Sequence, residues 1–184
     1  MRAITIRQPW ASLIALGLKN VETRSWTTTH RGTIAIHAAA GMPPLADIPK
    51  GKSTLGDVDI VRDRSGIRIH HPSLAWPYLV PRGVIVATAE VLDCLPMVTP
   101  GAATDLPCIE VADAHVTLHA NSCDDDGFEY DLTGERALGD YTPGRYGWML
   151  VDIQPIRRNQ PAARGQLGLW NWTPEQQSAP HPQG

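Results

Sequence analysis

The chain contains no apolar run near the roughly 20 residues that a membrane-spanning helix needs, so no contact with a membrane is expected. The first residues lack the apolar core of a secretory signal, since Arg2 and Arg7 interrupt it. The expected location is therefore cytoplasmic. Cysteine is scarce: Cys94, Cys108 and Cys123 are odd in number and include no C-x-x-C pair. That argues against a disulfide framework, a zinc site and a redox centre, and for unpaired reduced thiols. His70 and His71 are adjacent, and adjacent side chains in an extended chain diverge. His115 and His119 have helical metal-ligand spacing, but Val116-Thr117-Leu118 favours a strand, where they lie apart. No metal site or cofactor is expected from these residues. No repeat of 20–50 residues is visible.

Cationic excess is also missing from the whole, whose net charge is −3, but not from its parts. Residues 1–40 hold five Lys/Arg and one carboxylate, whereas residues 93–140 hold eleven carboxylates and only Arg136. Residues 141–172 turn basic again. Exposed charges act over only about 8–10 Å, so a basic groove can sit in an acidic protein. The acidic middle is either a separate surface, fit to dock a protein partner, or a competitor that covers the groove. A chain of 184 residues with 42% apolar content fits one domain with a real core.

The most informative stretch is Ile6 to Trp26. Pro9 suits a helix start, Trp10, Leu13 and Ile14 recur at helical spacing, and Gly17 suits the position past the helix end. From Val21 the period changes to that of a strand, which puts Glu22, Arg24 and Trp26 on one face with Lys19 just before them. On residue chemistry alone this cluster fits either a solvated ion-paired surface or a site.

Further strands are expected at residues 3–7, 33–38, 84–92, 148–153 and 165–172, with a hairpin over 114–132 whose tip is Asp124-Asp125-Asp126-Gly127. A calcium loop is the weaker reading of that tip, because Thr133 stands where the bidentate Glu belongs. Residues 41–81 read as a surface excursion with one short strand at Ile67-Arg68-Ile69. Residues 173–184 are polar, rich in Pro and Gln, and expected to be a disordered tail. The expected architecture is one domain over 1–172 with insertions at about 41–81 and 97–140. Its class is α+β, mainly β, a small β-barrel with one or a few short helices beside a cleft.

Gly17-x-Lys19-x-x-Glu22-x-Arg24 resembles the G-x-K-x-x-E-x-R pattern of the ASCH family (activating signal cointegrator homology). Gln8-Pro9-Trp10 before it, Arg24-Ser25-Trp26 at its end and His30-Arg31-Gly32 leading into Ile36-His37-Ala38 strengthen the likeness. It resumes faintly at Gly144-Arg145-Tyr146-Gly147-Trp148 and over Gly165 to Trp170. The resemblance implies a PUA-like barrel and a module that binds nucleic acid, RNA or another single strand above all. Arg7, Lys19, Arg24 and Arg31 would then meet phosphates, and Trp26 would stack on a base. Arg145 and Tyr146 would close the far side, with Gln8 and Trp10 completing the candidate set. Binding of that kind weakens steeply with salt.

The same resemblance carries an enzymatic alternative. Some family members look like amidohydrolases of acetylated cytidine that work with Lys, Thr and Glu. Lys19 holds the lysine position here, but Glu22 stands at that threonine's position. Others look like ribonucleases, some assisted by a divalent metal, for which Lys19, Glu22 and His37 would need to converge. A third alternative is a coactivator-type protein-interaction module that docks a partner through the acidic 105–140 segment.

Overall fold

The change of period after Gly17 organises the observed chain. Strand β1 (Arg2–Ile6) runs into helix α1 (Trp10–Ala15), and the chain then enters β2 (Val21–Arg24). Gly17 takes φ +70°, donates its N–H to Ile14 O, and is followed by Leu18 N–H donating to Leu13 O. This paired closure satisfies carbonyls left open at the helix end, and it needs the left-handed backbone that glycine adopts without strain. At the other end the Gln8–Pro9 bond is cis, and Gln8 Oε1 accepts the Ser12 N–H.

The computed structural model describes residues 1–48, 58–64, 66–75, 77–102, 106–113, 115–120 and 128–174. After β2 come β3 (Gly32–Ala38), β4 (Asp59–Asp63), β5 (Gly66–His70), β6 (Tyr78–Leu79) and the long β7 (Val84–Val98). They are followed by β8 (Cys108–Val111), β9 (Val116–Ala120), β10 (Phe128–Asp131), β11 (Tyr146–Pro155) and β12 (Leu169–Asn171). Short 3-10 helices lie at Leu45–Asp47, one turn, and Thr133–Leu138, two turns. The class is mainly β, as expected.

Nine strands form one sheet. Its backbone is the order β10-β9-β8-β7-β3-β1-β12, and β11 joins β7 to β2. β1 and β3 are parallel, with Ala3 opposite Ala35, and most other pairings are antiparallel. Among the described strands the pairing does not close on itself, so the hydrogen bonding is that of an open, curved sheet and not of a closed barrel. β9 and β10 pair as the expected hairpin, with Phe128 opposite Ala120. Its acidic tip at 121–127, and with it the first half of the candidate calcium loop, lies outside the described residues, as does 175–184.

The main core lies between α1 and the sheet, where Ile14 and Ala15 meet Ile4, Ile6, Ile34, Ile36, Val86, Trp148 and Leu150. The 41–81 segment is more than a surface excursion. β4, β5 and β6 form a second three-stranded sheet, and Ile48, Val58, Ile67, Ile69 and Val80 pack on Leu13 of α1 and on Leu138. α1 is thus covered on two sides, which explains why both Leu13 and Ile14 are fully buried. Among the described residues no helix is long and apolar enough to cross a membrane.

Candidate functional site

A cleft of about 1050 Å³ opens where the C-terminal end of β1, the start of α1 and strand β2 come together. β1 supplies Thr5 and Ile6, Arg7 follows it, and α1 supplies Trp10. Lys19, Glu22, Thr23 and Arg24 line it from the next segment. Ala46, Asp47 and Ile48 come from the 41–81 segment, Gly139, Asp140 and Arg145 from the approach to β11, and residues 166–168 from the approach to β12.

Lys19 lies at the base of the cleft. It is 0% exposed, and its ammonium donates to Val21 O. It sits 5.7 Å from the Tyr141 ring centre. Burial drives its pKa below the usual lysine value, the carboxylates of Glu22 and Glu135 pull it partly back, and Arg24 pushes it down again. Glu22 is only 7% exposed and stands 3.0 Å from Arg24 Nε, an ion pair whose geometry falls short of a directed hydrogen bond. Arg24 donates instead to Thr5 O at 2.9 Å, tying β2 to β1 across the cleft floor.

Glu135, from the run read as an acidic surface, is buried beneath this floor. Its two oxygens accept the Asn20 and Val21 N–H groups, each at 2.9 Å, and Tyr141 Oη lies 3.5 Å from it. Burial and the nearby carboxylates of Glu135 and Glu22 raise the Tyr141 pKa, so it remains a phenol. Gly139 allows the close approach: a Cβ there would lie 2.8 Å from the Tyr141 ring and 3.1 Å from Lys19 Nζ.

The rims carry charge pairs, the first exposed and the second half-buried at its arginine. Arg7 meets Asp47 at 3.3 Å, and Arg145 meets Asp140 at 3.3 Å. Arg145 also donates to Asp140 O. Burial raises the Asp140 pKa, but hydrogen bonds from Thr142 and the Arg145 charge more than reverse this and leave it below the usual carboxylate value. The cleft thus holds four cations against three carboxylates. The acidic segment does enter the groove, through Asp140, and backs it through Glu135.

Of the residues expected from sequence, the cleft gathers Arg7, Trp10, Lys19, Glu22, Arg24 and Arg145. The other candidates lie elsewhere. Gln8 is buried and donates to Pro81 O at 2.6 Å, a structural tie. Trp26 packs edge-on against Trp148, with ring centres 4.7 Å apart, and takes part in the core. Arg31 pairs with Asp93 outside the cleft. Tyr146 sits opposite Arg24 in the β2–β11 ladder and packs on the core. His37 does not converge with Lys19 and Glu22. It is 1% exposed, with Nε2 3.0 Å from Ala163 O and its ring edge-on to Trp170. Burial lowers its pKa and holds it neutral. The reason is the strand period: Thr5 and His37 are register partners in β1 and β3, and the face that carries His37 turns toward β12 and the loop before it.

Glu135, Thr23, Asp47 and Asp140 are cleft or floor residues that sequence reasoning missed. Strand alternation sets Thr23 out of step with Glu22 and Arg24, yet it borders the cleft and accepts the Asp140 N–H. No local pattern distinguishes Glu135 from the other carboxylates of its segment.

Comparison with known proteins agrees with the motif. The ASCH domain family model matches residues 4–124. Activating signal cointegrator 1 of Homo sapiens is 32% identical over 92 residues, and that of Mus musculus 30% over 92 residues. Each match covers 50% of this chain and 14% of the relative, so the likeness concerns one part of much longer proteins. With Lys19, Glu22 and Arg24 of the pattern lining one cleft, and the family match extending over most of the chain, this protein belongs to the ASCH domain family.

Proposed function

We propose that the chain binds single-stranded RNA by taking one unpaired nucleotide into this cleft. The observation that carries the reading is a cleft roomy enough for a nucleotide, with an ion-paired guanidinium on each rim and buried Lys19 and Glu22 at its floor. Exposed ion pairs such as Arg7–Asp47 contribute only about 0–1 kcal/mol, so a phosphate can replace the carboxylate at little cost. Trp10 offers an apolar wall, and Glu22 and Thr23 offer an acceptor and a hydroxyl to a base edge. Membership of the family supports a nucleic-acid-binding or interaction module. A concave cleft with an indole on its wall suits a splayed single strand better than a duplex.

The test is binding of labelled single-stranded RNA, double-stranded RNA and duplex DNA across a salt series. Two rim phosphate contacts predict a slope of log K against log salt of about −1.4 for a single strand, shallower than a fully basic groove would give. Arg145→Ala should reduce that slope by about 0.7. Affinity unchanged by salt, or equal for all three nucleic acids, contradicts the proposal. If none binds and a protein partner is retained, the interaction-module reading replaces it.

A catalytic reading, ribonuclease or amidohydrolase on a modified nucleoside, rests on the lowered pKa of Lys19 beside Glu22 and Thr23. A lysine whose proton is held loosely can exchange it with a substrate, whereas a solvated one stays protonated. Denaturing gels from the same binding series, with and without a divalent metal, test this. Cleavage lost in Lys19→Ala while binding persists favours the enzyme.

A further inference from the structure

We infer that Leu167 is the apolar contact for the face of the bound base, an inference that rests on the RNA-binding reading of the cleft. Among the described residues Leu167 is the most exposed large apolar side chain, at 99%, and of those exposed ones it alone lines this cleft. An exposed leucine is common at a loose loop, but this loop is braced at both ends. Gly165 is pressed against the layer below it: a Cβ there would stand 2.6 Å from His37 Cε1 and 2.8 Å from Thr5 Oγ1. The next residue, Gln166, donates its N–H to Thr5 Oγ1 at 3.2 Å. Gly168, at φ +65°, then turns the chain into β12, whose Leu169 pairs with Ile4. The leucine is therefore presented at the mouth by fixed backbone, and it forgoes the stabilisation that burial would bring.

The chemistry around it identifies the occupant. A base is polar at its edge and apolar on its faces. The floor supplies polar groups for the edge through Glu22 and Thr23, and the walls supply apolar surface through Trp10 and Leu167. The rim guanidiniums of Arg7 and Arg145 suit the phosphates that accompany a nucleotide. An apolar peptide side chain would satisfy Leu167 but would make no use of the polar floor or of the rim guanidiniums.

The experiment compares a hexauridylate with an abasic sugar–phosphate hexamer, which keeps the phosphates and lacks the bases. Each is titrated into the full chain, Leu167→Ser and Leu167→Trp at low salt. Because Leu167 makes no core contact, both variants should keep the unfolding midpoint of the parent. The expected result is hexauridylate binding about tenfold weaker in Leu167→Ser, as loss of roughly half a leucine's burial implies. Abasic binding should be unchanged, and hexauridylate binding should be several-fold tighter in Leu167→Trp, whose ring stacks. Equal hexauridylate affinity in the parent and Leu167→Ser overturns this inference and leaves the RNA reading standing. Equal weakening of both hexamers overturns it too, because the contact is then not with a base. A parent chain that binds neither hexamer overturns the RNA reading itself.

Discussion

Lys19 is the residue on which the site turns. A lysine ammonium out of contact with water is strongly penalised unless partners are arranged around it. Here Val21 O accepts its proton, and Glu22 and Glu135 supply the countercharge. The net effect still lowers its pKa, with burial as the largest cause. The sign of the linkage follows. Below the folded-state pKa Lys19 is charged in both states and the burial cost is fully present. Between that value and the unfolded 10.5 the unfolded chain binds more protons, so stability rises with pH across this window. Replacing Lys19 by Met should remove that contribution. Urea midpoints taken from pH 7 to pH 10 should show the parent gaining stability relative to Lys19→Met as pH rises. A difference that stays constant would mean that the folded protein does not perturb this amine.

Between elements, the critical joint lies where β11 meets β2 on one side and β7 on the other. β11 pairs with both, placing Gly147 opposite Thr23 and Leu95. A side chain at Gly147 would collide with Ile109 and would stand 2.9 Å from Val21 Cγ1. This glycine is needed for close approach between the main sheet and its β8–β10 extension, and positive φ plays no part. Gly147→Ala should destabilise the protein by about 1–3 kcal/mol through overpacking, lowering the thermal midpoint by about 2–4 °C for each kcal/mol. Calorimetry of the variant checks it, and an unchanged midpoint would show that Ile109 can swing aside. The start of β2 depends on a second remote contact, since Glu135 accepts both the Asn20 and the Val21 N–H. One buried carboxylate thus satisfies two backbone donors and also lends countercharge to Lys19.

For the molecule as a whole, the 41–81 segment is part of the core and also a wall of the cleft. Ile48, Ile67 and Ile69 pack with Leu13 of α1 and Leu138, while Asp47 and Ile48 line the cleft. Ile69→Ala should therefore cost about 2–5 kcal/mol and lower the proposed RNA binding together with stability. Urea unfolding followed by tryptophan fluorescence should remain a single transition, because α1 links this cluster to the main core. Two separated transitions would show that the second sheet melts independently.

What the sequence determined by itself is what short range encodes. The step from α1 through Gly17 into β2, the apolar strands β3 and β7, the β9–β10 hairpin, the family and six cleft residues were all legible, because turn chemistry and period act within a few residues. The tertiary structure alone decided which faces meet. Alternation says that His37 and Trp26 lie on particular sides of their strands. It does not say that β12 and its loop cover the one, or that Trp148 covers the other. Nor does it say that Glu135 closes on Asn20 from 115 residues away. Such contacts depend on the order in which strands assemble into the sheet. No local pattern carries that order, so the floor of the cleft and the open edge of the sheet appear only when the whole chain has packed.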